Sequence, residues 1–195
     1  MVMRNKSFSI TIIALLLCFA GWNAQAQSET PKLEIGAHFP VLRFDDFADE
    51  TTEPGLGGRI GYNVIEHVAL EAEMNFFPRE GDGQFFGGFG RMTQGLFGVK
   101  AGVRGEKVGV FGKARPGFIH YSSVPQVICI AAIRADCTID KTNFAFDVGG
   151  VVEFYPSRRT VVRFDAGDLV IRRSIVGATR TTHNFQLNSG VGFRF

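Results

Sequence analysis

The feature that most limits how this chain can fold is the strict alternation in its last segment, HNFQLNSGVGFRF, residues 183–195. Large apolar side chains occupy every second position, and polar residues or glycine lie between them. A period of two residues is that of a β-strand, in which successive side chains point to opposite faces. The segment is therefore predicted to be a strand with one apolar face, and that face includes the final residue.

The same period recurs along the chain, and no helical period is found after the first 26 residues. We predict eight strands, at residues 32–44, 56–64, 67–77, 91–104, 107–121, 143–155, 160–171 and 183–195. Tight turns at residues 65–67, 104–107 and 156–159 alternate with long polar or glycine-rich stretches at residues 45–55, 78–90, 122–142 and 172–182. This alternation places all tight turns at one end and all long loops at the other, as in an up-and-down barrel.

The two faces of the predicted strands differ in charge. The third strand has an apolar face of Val68, Leu70, Ala72, Met74 and Phe76, while Glu71 and Glu73 lie on its other face. A lipocalin-type soluble barrel also alternates, so the pattern alone does not decide which face points inward. Glycine and balanced charge on the polar face, with an aromatic final residue on the apolar face, favour an apolar exterior. The predicted fold class is all-β, an eight-stranded antiparallel up-and-down transmembrane β-barrel.

Residues 1–26 are predicted to be a signal peptide, and residues 27–195 the barrel domain. Arg4 and Lys6 precede the apolar run ITIIALLLCFA, which is too short to span a bilayer. The small residues Ala24 and Ala26 then match a signal-peptidase site. We therefore expect the chain to be exported.

Charge and cysteine content restrict the partners. Without the two basic residues of the leader, the chain carries 19 basic and 19 acidic residues, which gives no electrostatic reason to expect nucleic acid. After removal of the leader, two cysteines remain in the chain, Cys129 and Cys137. Because export leads to an oxidising compartment, we predict a disulfide between them.

Five segments carry a resemblance to a known family. They are GGRIGYNV (57–64), VALEAEMNFFP (68–78), GLFGVKAGVR (95–104), VVEFYPSRRTVVRFDAGD (151–168) and the terminal GVGFRF. With them the chain resembles the eight-stranded outer-membrane β-barrels of the OmpA/OmpX-like superfamily. The resemblance implies the outer membrane of a Gram-negative-type bacterium as the location and outer-membrane lipid as the surroundings. It also implies the barrel-assembly machinery as a partner during biogenesis, and we expect a monomer.

In that family the final aromatic residue, with apolar residues at alternate positions before it, is read as an assembly signal. The residues that match this signal are Phe185, Leu187, Val191, Phe193 and Phe195. Ser189 occupies one of the alternate positions and departs from the pattern.

The inward face is predicted to hold a buried ion-pair network, because the interior of an eight-stranded barrel is only wide enough for side chains and unpaired buried charges are costly. Counted from the tight turns, the residues at similar depth are Arg59, Glu71, Glu73, Lys100, Lys113, Arg163 and Asp165. Arg115, Asp147 and Glu153 are also predicted to face inward, outside this network. The network either only plugs and orders the barrel or acts as a gate for a narrow ion path.

The function predicted is therefore a structural or surface-interaction role with no open pore. A surface ligand would bind through the long outside loops, above all residues 122–142. This stretch, with its apolar run, is either an ordered loop or a cap on the barrel mouth, or else an adhesive edge for strand addition. The alternative is a small, low-conductance, porin-like channel gated by the network.

A third class, an outer-membrane lipid-modifying enzyme, would need a nucleophile and a base near the outer rim. His120, His183, Ser122 and Ser123 lie on that side, but the sequence has no nucleophile elbow and no HExxH motif. We expect no enzymatic activity, no catalytic residues, no metal and no cofactor.

Overall fold

The computed structural model describes residues 31–45, 50–78, 91–125, 138–175 and 178–195. The strands in these segments are β1 (Leu33–Asp45), β2 (Glu50–Pro54), β3 (Leu56–Ile65), β4 (Val68–Phe77), β5 (Met92–Arg104), β6 (Val108–Pro125), β7 (Thr138–Phe154), β8 (Thr160–Ile175) and β9 (Ala178–Arg194). No helix in this part of the chain is long and apolar enough to cross a bilayer. The predicted signal peptide, residues 1–26, and the predicted Cys129–Cys137 disulfide lie outside the described residues and stay predictions.

The strands form one antiparallel sheet that closes on itself. Each strand from β3 to β8 pairs with the next one in sequence, and β1 pairs with β9 from Glu34 opposite Arg194 to Phe44 opposite Asn184. Both β2 and β3 pair with β1, one after the other along its length, and they flank Gly55. They therefore share one position in the barrel wall, and the predicted eight-stranded antiparallel barrel is confirmed.

The long-loop end differs from the prediction in the lengths of its strands. The stretch predicted as a loop at residues 45–55 contains β2. The described parts of the two stretches at 122–142 and 172–182 continue the strands of two hairpins, at residues 122–125, 138–142, 172–175 and 178–182. β6 and β7 stay paired as far as Pro125 and Thr138, and β8 and β9 as far as Ile175 and Ala178. The alternation does not mark these extensions, because strand residues beyond the lipid have no reason to keep one face apolar.

The outward face is apolar and the inward face is polar, which is the reverse of a water-soluble protein. Phe39, Phe97 and Phe193 point outward with 62%, 60% and 59% of their surface exposed. Arg115 and Glu153 are fully buried in the interior. This distribution is that of a barrel whose outside contacts hydrocarbon and whose lumen is filled by side chains.

Glycine allows the walls of this narrow barrel to approach closely. A Cβ atom added to Gly149 of β7 would lie 2.1 Å from the carbonyl oxygen of Ala166 on β8, and one added to Gly98 of β5 would lie 2.2 Å from that of Ala114 on β6. Real side chains do not tolerate such distances, so the backbone geometry at both positions requires glycine. The high glycine content of the sequence follows in part from this constraint.

Candidate functional site

Charged side chains from five neighbouring strands, β4 to β8, meet in the middle of the lumen. Each lies on the inward face of its strand, and each is at most 4% exposed. We call this group the lumen ion-pair cluster; it consists of Glu71, Glu73, Lys100, Lys113, Arg115, Asp147, Glu153, Arg163 and Asp165. Carboxylates and bases therefore nearly balance within it.

Glu71 is the centre of one half of the cluster. Arg163 donates to both of its carboxylate oxygens, with Nη2 3.0 Å from Oε2. Lys100 Nζ lies 3.3 Å from Glu71 Oε1 and also donates to Glu153. Arg163 reaches a second carboxylate through Nε, which is 3.1 Å from Asp165 Oδ2. Each of the two bases, Arg163 and Lys100, is thus shared between at least two acids.

Arg115 and Lys113 organise the other half. Arg115 Nη1 lies 2.6 Å from Glu73 Oε2, and its Nε lies 2.8 Å from Asp147 Oδ2. Lys113 Nζ lies 3.0 Å from Asp147 Oδ2 and 2.8 Å from Asp165 Oδ1. Because Asp165 also belongs to the first half, the ion pairs form one continuous set across the lumen.

Arg59, a predicted member of the ion-pair network, lies apart from the cluster. Its Nη2 and Nε are 2.9 Å and 3.3 Å from Glu34 Oε1, near the tight-turn end of the lumen. Arg59 is opposite Glu73 in the β3–β4 register, but Arg115 bonds to that carboxylate. The other six predicted members do come together.

Three members of the cluster lie outside the predicted network: Arg115, Asp147 and Glu153. A depth counted in residues from the tight turns ignores the reach of a long arginine side chain and the slant of the strands. A signal was present in the charge balance, because the seven predicted residues hold more bases than acids. Asp147 and Glu153 were the inward carboxylates available to correct that excess.

A row of polar side chains continues from the cluster toward the long-loop end. Asn75 donates to Gln94 over 2.7 Å, Gln94 donates to Gln186 over 2.9 Å, and Gln186 donates to Asn188 over 3.1 Å. Asn188 in turn donates to Asp165 of the cluster over 2.9 Å. These amides satisfy one another across the lumen and leave little room for a continuous water column.

An apolar layer fills the lumen at the long-loop end. Its buried side chains are Leu42, Phe44, Phe77, Met92, Leu96, Ile119, Tyr121, Ala145, Leu169 and Ile171. Above it, Arg173 donates to the hydroxyl of Tyr121 over 3.2 Å and lies over the rings of Tyr121 and Phe44. Two layers of buried side chains therefore lie in the lumen, the charged cluster and this apolar layer.

Two histidines lie on the outside of the barrel near the long-loop end. His183 Nδ1 is 2.6 Å from Asp168 Oδ2; the side chain of His183 is largely exposed and that of Asp168 is partly exposed. His120 Nδ1 is 2.8 Å from Thr142 Oγ1. In the segments that the structure describes, neither histidine has the linked nucleophile, base and orienting acid that a hydrolase requires.

The residues of the predicted assembly signal all face outward on or directly after β9. Phe185, Leu187, Val191, Phe193 and Phe195 are between 43% and 68% exposed. The backbone of Phe195 is held by β1, since its N–H donates to Leu33 O over 2.8 Å and its carbonyl accepts from Leu33 N over 3.1 Å. Within the described segments no group of three or more side chains is arranged to hold a metal ion.

The fold is found in solved structures at low sequence identity. The attachment invasion locus protein Ail of Yersinia pestis is 12% identical, with 85% of this chain and 99% of that chain covered and a TM-score of 0.54. For a second Ail structure, in complex with the heparin analogue sucrose octasulfate, the identity is 12%, the coverages are 85% and 99%, and the TM-score is 0.51. Neisserial surface protein A is 12% identical, with 84% and 97% covered and a TM-score of 0.60.

Escherichia coli outer membrane protein W is 13% identical, with 87% of this chain and 100% of that chain covered and a TM-score of 0.52. No curated protein matches the sequence. The sequence matches the family of the outer membrane protein beta-barrel domain over residues 11–195. The chain therefore belongs to this family of outer-membrane β-barrels and is a protein of the bacterial outer membrane.

Proposed function

We propose that this protein is a monomeric outer-membrane barrel with no open pore, whose role is structural or one of surface interaction. The observation that carries the proposal is the double closure of the lumen by the lumen ion-pair cluster and the apolar layer. An eight-stranded barrel has no width to spare around such side chains. Ions would have to displace both layers to pass.

The cost of opening the cluster supports a closed lumen. Separating one buried ion pair without replacing its partner costs about 3–5 kcal/mol. In this cluster a single movement breaks several pairs, because Arg163 alone contacts Glu71, Asp165 and Glu153. The apolar layer adds a second barrier, since it offers no polar group to a dehydrated ion.

The surface role is supported by the length of two hairpins. β6, β7, β8 and β9 have 18, 17, 16 and 17 residues, whereas about 9–11 residues cross a bilayer as a strand. By contrast β3 and β4 have 10 residues each. Since outer-membrane barrels have short turns on the periplasmic side, the extra length of both hairpins projects outward.

Each projecting hairpin has strand edges without a strand beside them in the described part of the chain. β7 and β8 pair only as far as Phe144 opposite Arg172, and β5 pairs with β6 only as far as Met92 opposite Tyr121. Exposed edges of this kind accept a further strand. Ail, which has the same fold, is named for attachment and invasion and has been solved with a heparin analogue, and this supports a surface ligand for the present chain.

Conductance in planar bilayers tests the closed lumen. We expect no stepwise conductance from the purified wild-type chain, and none from Glu71→Ala, because the apolar layer still closes the lumen in that variant. Glu66→Ala, an exposed substitution in the β3–β4 turn, is the matched control. Discrete steps from the wild type would contradict the proposal.

Deletion of residues 126–137 tests the surface role. Because Pro125 and Thr138 are paired, a short turn can join them without disturbing the barrel wall. We expect the variant to assemble and to lose surface attachment, while Arg158→Ala, exposed at the opposite end, changes neither. Undiminished attachment by the deletion variant would argue for a purely structural role.

The second candidate function is a small, low-conductance channel gated by the cluster. The observation that favours it is the sharing of bases: Lys100 lies between Glu71 and Glu153, so it can keep one partner while it releases the other. This function requires stepwise conductance in the wild type or in Glu71→Ala.

The lack of an enzymatic activity is also a proposal, supported by the isolated arrangement of His183 and Asp168. Hydrolysis of phospholipid by the wild type but not by His183→Ala would contradict it.

A further inference from the structure

Two arginines and a tyrosine lie together at the tight-turn end of the lumen. The guanidinium carbon of Arg194 on β9 is 4.1 Å from the ring centre of Tyr155, and that of Arg104 on β5 is 5.8 Å from it. Arg104 Nε donates to the Tyr155 hydroxyl over 3.1 Å, and that hydroxyl donates to Glu153 over 2.7 Å. We call Arg104, Tyr155 and Arg194 the inner-mouth site.

Both arginines keep a buried N–H group that has no hydrogen-bond partner among the residues that the structure describes. They are Nη1 of Arg104 and Nε of Arg194. Arg194 is 7% exposed, and the side chain of Arg104 is 8% exposed. A buried donor without a partner costs about 1–3 kcal/mol, and more when it is charged. Donors of this kind are rare in native proteins, and they indicate that a ligand or an ordered water binds there.

Carboxylates do not balance the inner-mouth site. The nearest carboxylate to Arg104 is that of Glu153, 3.9 Å from Nη2, and Glu153 already bonds to Lys100. Arg194 forms no ion pair with any residue in the described segments, and its Nη2 donates to the backbone carbonyl of Ser157 over 3.2 Å. Glu34, the other acid at this depth, is paired with Arg59. The site therefore holds excess positive charge.

The rim around this end of the barrel is basic as well. Its exposed basic residues are Lys32, Lys107, Arg158 and Arg159, and its exposed acidic residues are Glu66 and Glu106. A basic rim around a narrow, low-dielectric opening attracts anions and raises their local concentration. Charge at the rim and unpartnered donors inside it point to the same class of ligand.

We propose that the inner-mouth site binds a small soluble oxyanion of the phosphate type from the periplasm. A tetrahedral oxyanion can accept bonds from two guanidinium groups at once, which is the pairing that arginine favours. The donors are inside the lumen and not on its outer wall, so the phosphate of a membrane lipid does not reach them. The oxyanion stops at this site, because the lumen ion-pair cluster fills the barrel beyond it.

Equilibrium dialysis of inorganic phosphate against the full chain in neutral, non-ionic detergent tests the proposal. We expect saturable binding of phosphate and of sulfate. This binding should persist when chloride is present and the total ionic strength is held constant. Arg194→Gln removes one charged donor pair, so we expect the affinity to fall roughly tenfold or more. Arg172→Gln removes the same charge from an exposed position on β8 at the opposite, long-loop end of the barrel, and we expect an affinity within about twofold of the wild type.

Two variants keep the test decisive if Arg194→Gln does not assemble. Arg194→Lys preserves the charge but lacks the Nε donor and the planar fork, and Arg104→Gln alters the other side of the site; each is expected to weaken binding. Absence of saturable phosphate binding by the wild type would overturn the proposal. So would binding by Arg194→Gln and Arg104→Gln at wild-type strength, or a loss in Arg172→Gln equal to that in Arg194→Gln.

Discussion

Arg163 on β8 holds Glu71 on β4 across the lumen, with one guanidinium nitrogen on each carboxylate oxygen. The two residues are 92 positions apart in sequence and belong to strands that are not neighbours in the sheet. Their bond is therefore a cross-brace through the interior, added to the hydrogen bonds of the barrel wall. Bidentate pairs of this kind fix both position and orientation.

Removing Glu71 should strongly destabilise the barrel. Glu71→Ala leaves Arg163 and Lys100 with less compensation in a buried site, so we expect a loss of about 3–5 kcal/mol in the free energy of unfolding. Urea unfolding in detergent micelles, followed by the gel-mobility difference between folded and boiled protein, measures this. Glu66→Ala, exposed in a turn, should change stability by no more than about 0.5 kcal/mol.

Replacing both members of the cross-brace should restore much of that loss. In Glu71→Met with Arg163→Met neither charge of the pair remains, and an apolar pair of similar volume is often neutral or stabilising relative to a buried ion pair. We expect the double variant to be more stable than Glu71→Ala in the same urea titration. A double variant as unstable as the single one would show that Lys100, Arg115 and Asp165 depend on both residues, and that the cluster acts as one unit.

The barrel and its inward face could be predicted because lipid imposes the pattern. Outward residues must be apolar where they contact hydrocarbon, so β4 keeps a strict period of two along its whole length. The sequence did not predict that β6 continues after Tyr121 to Pro125, or that β7 begins as early as Thr138. Where water contacts both faces of a strand, neither face has to be apolar, so the alternation is lost. β2 was missed for the same reason: its sequence, ETTEP, is polar on both faces.

The partners within the lumen were only partly predictable. The two-residue period and the polar face of each strand identified which charged residues point inward. Each long basic side chain, however, has several acidic residues within reach, and the sequence does not say with which of them it pairs. Arg59 bonds to Glu34 and Arg115 to Glu73, although the register places Arg59 opposite Glu73. Pairing of this kind depends on three-dimensional distances that a one-dimensional count of residues does not contain.

Gly149 and Gly150 are adjacent in sequence but differ in the space that a Cβ atom would have. A Cβ atom at Gly149 would meet the Ala166 carbonyl at 2.1 Å, whereas the nearest neighbour of one at Gly150 is the Phe111 carbonyl at 4.0 Å. We expect Gly149→Ala to lower the stability of the folded barrel by about 1–3 kcal/mol or more, since the neighbouring strand must move. Gly150→Ala should leave it within about 0.5 kcal/mol, and equal effects of the two would contradict the close approach of β7 and β8.

Substitution of Phe195 can distinguish an effect on assembly in the cell from an effect on the stability of the folded barrel. Its side chain is 68% exposed, and its link to β1 runs through the backbone of Leu33, so Phe195→Ser should leave the unfolding curve of refolded protein almost unchanged. If Phe195 belongs to an assembly signal, the same variant should accumulate severalfold less folded protein in the outer membrane. Quantitative gels of membrane fractions, with Phe97→Ser as an equally exposed control on β5, measure the difference. Equal loss in both variants would show that any exposed aromatic residue matters, and normal assembly of Phe195→Ser would remove the signal from this position.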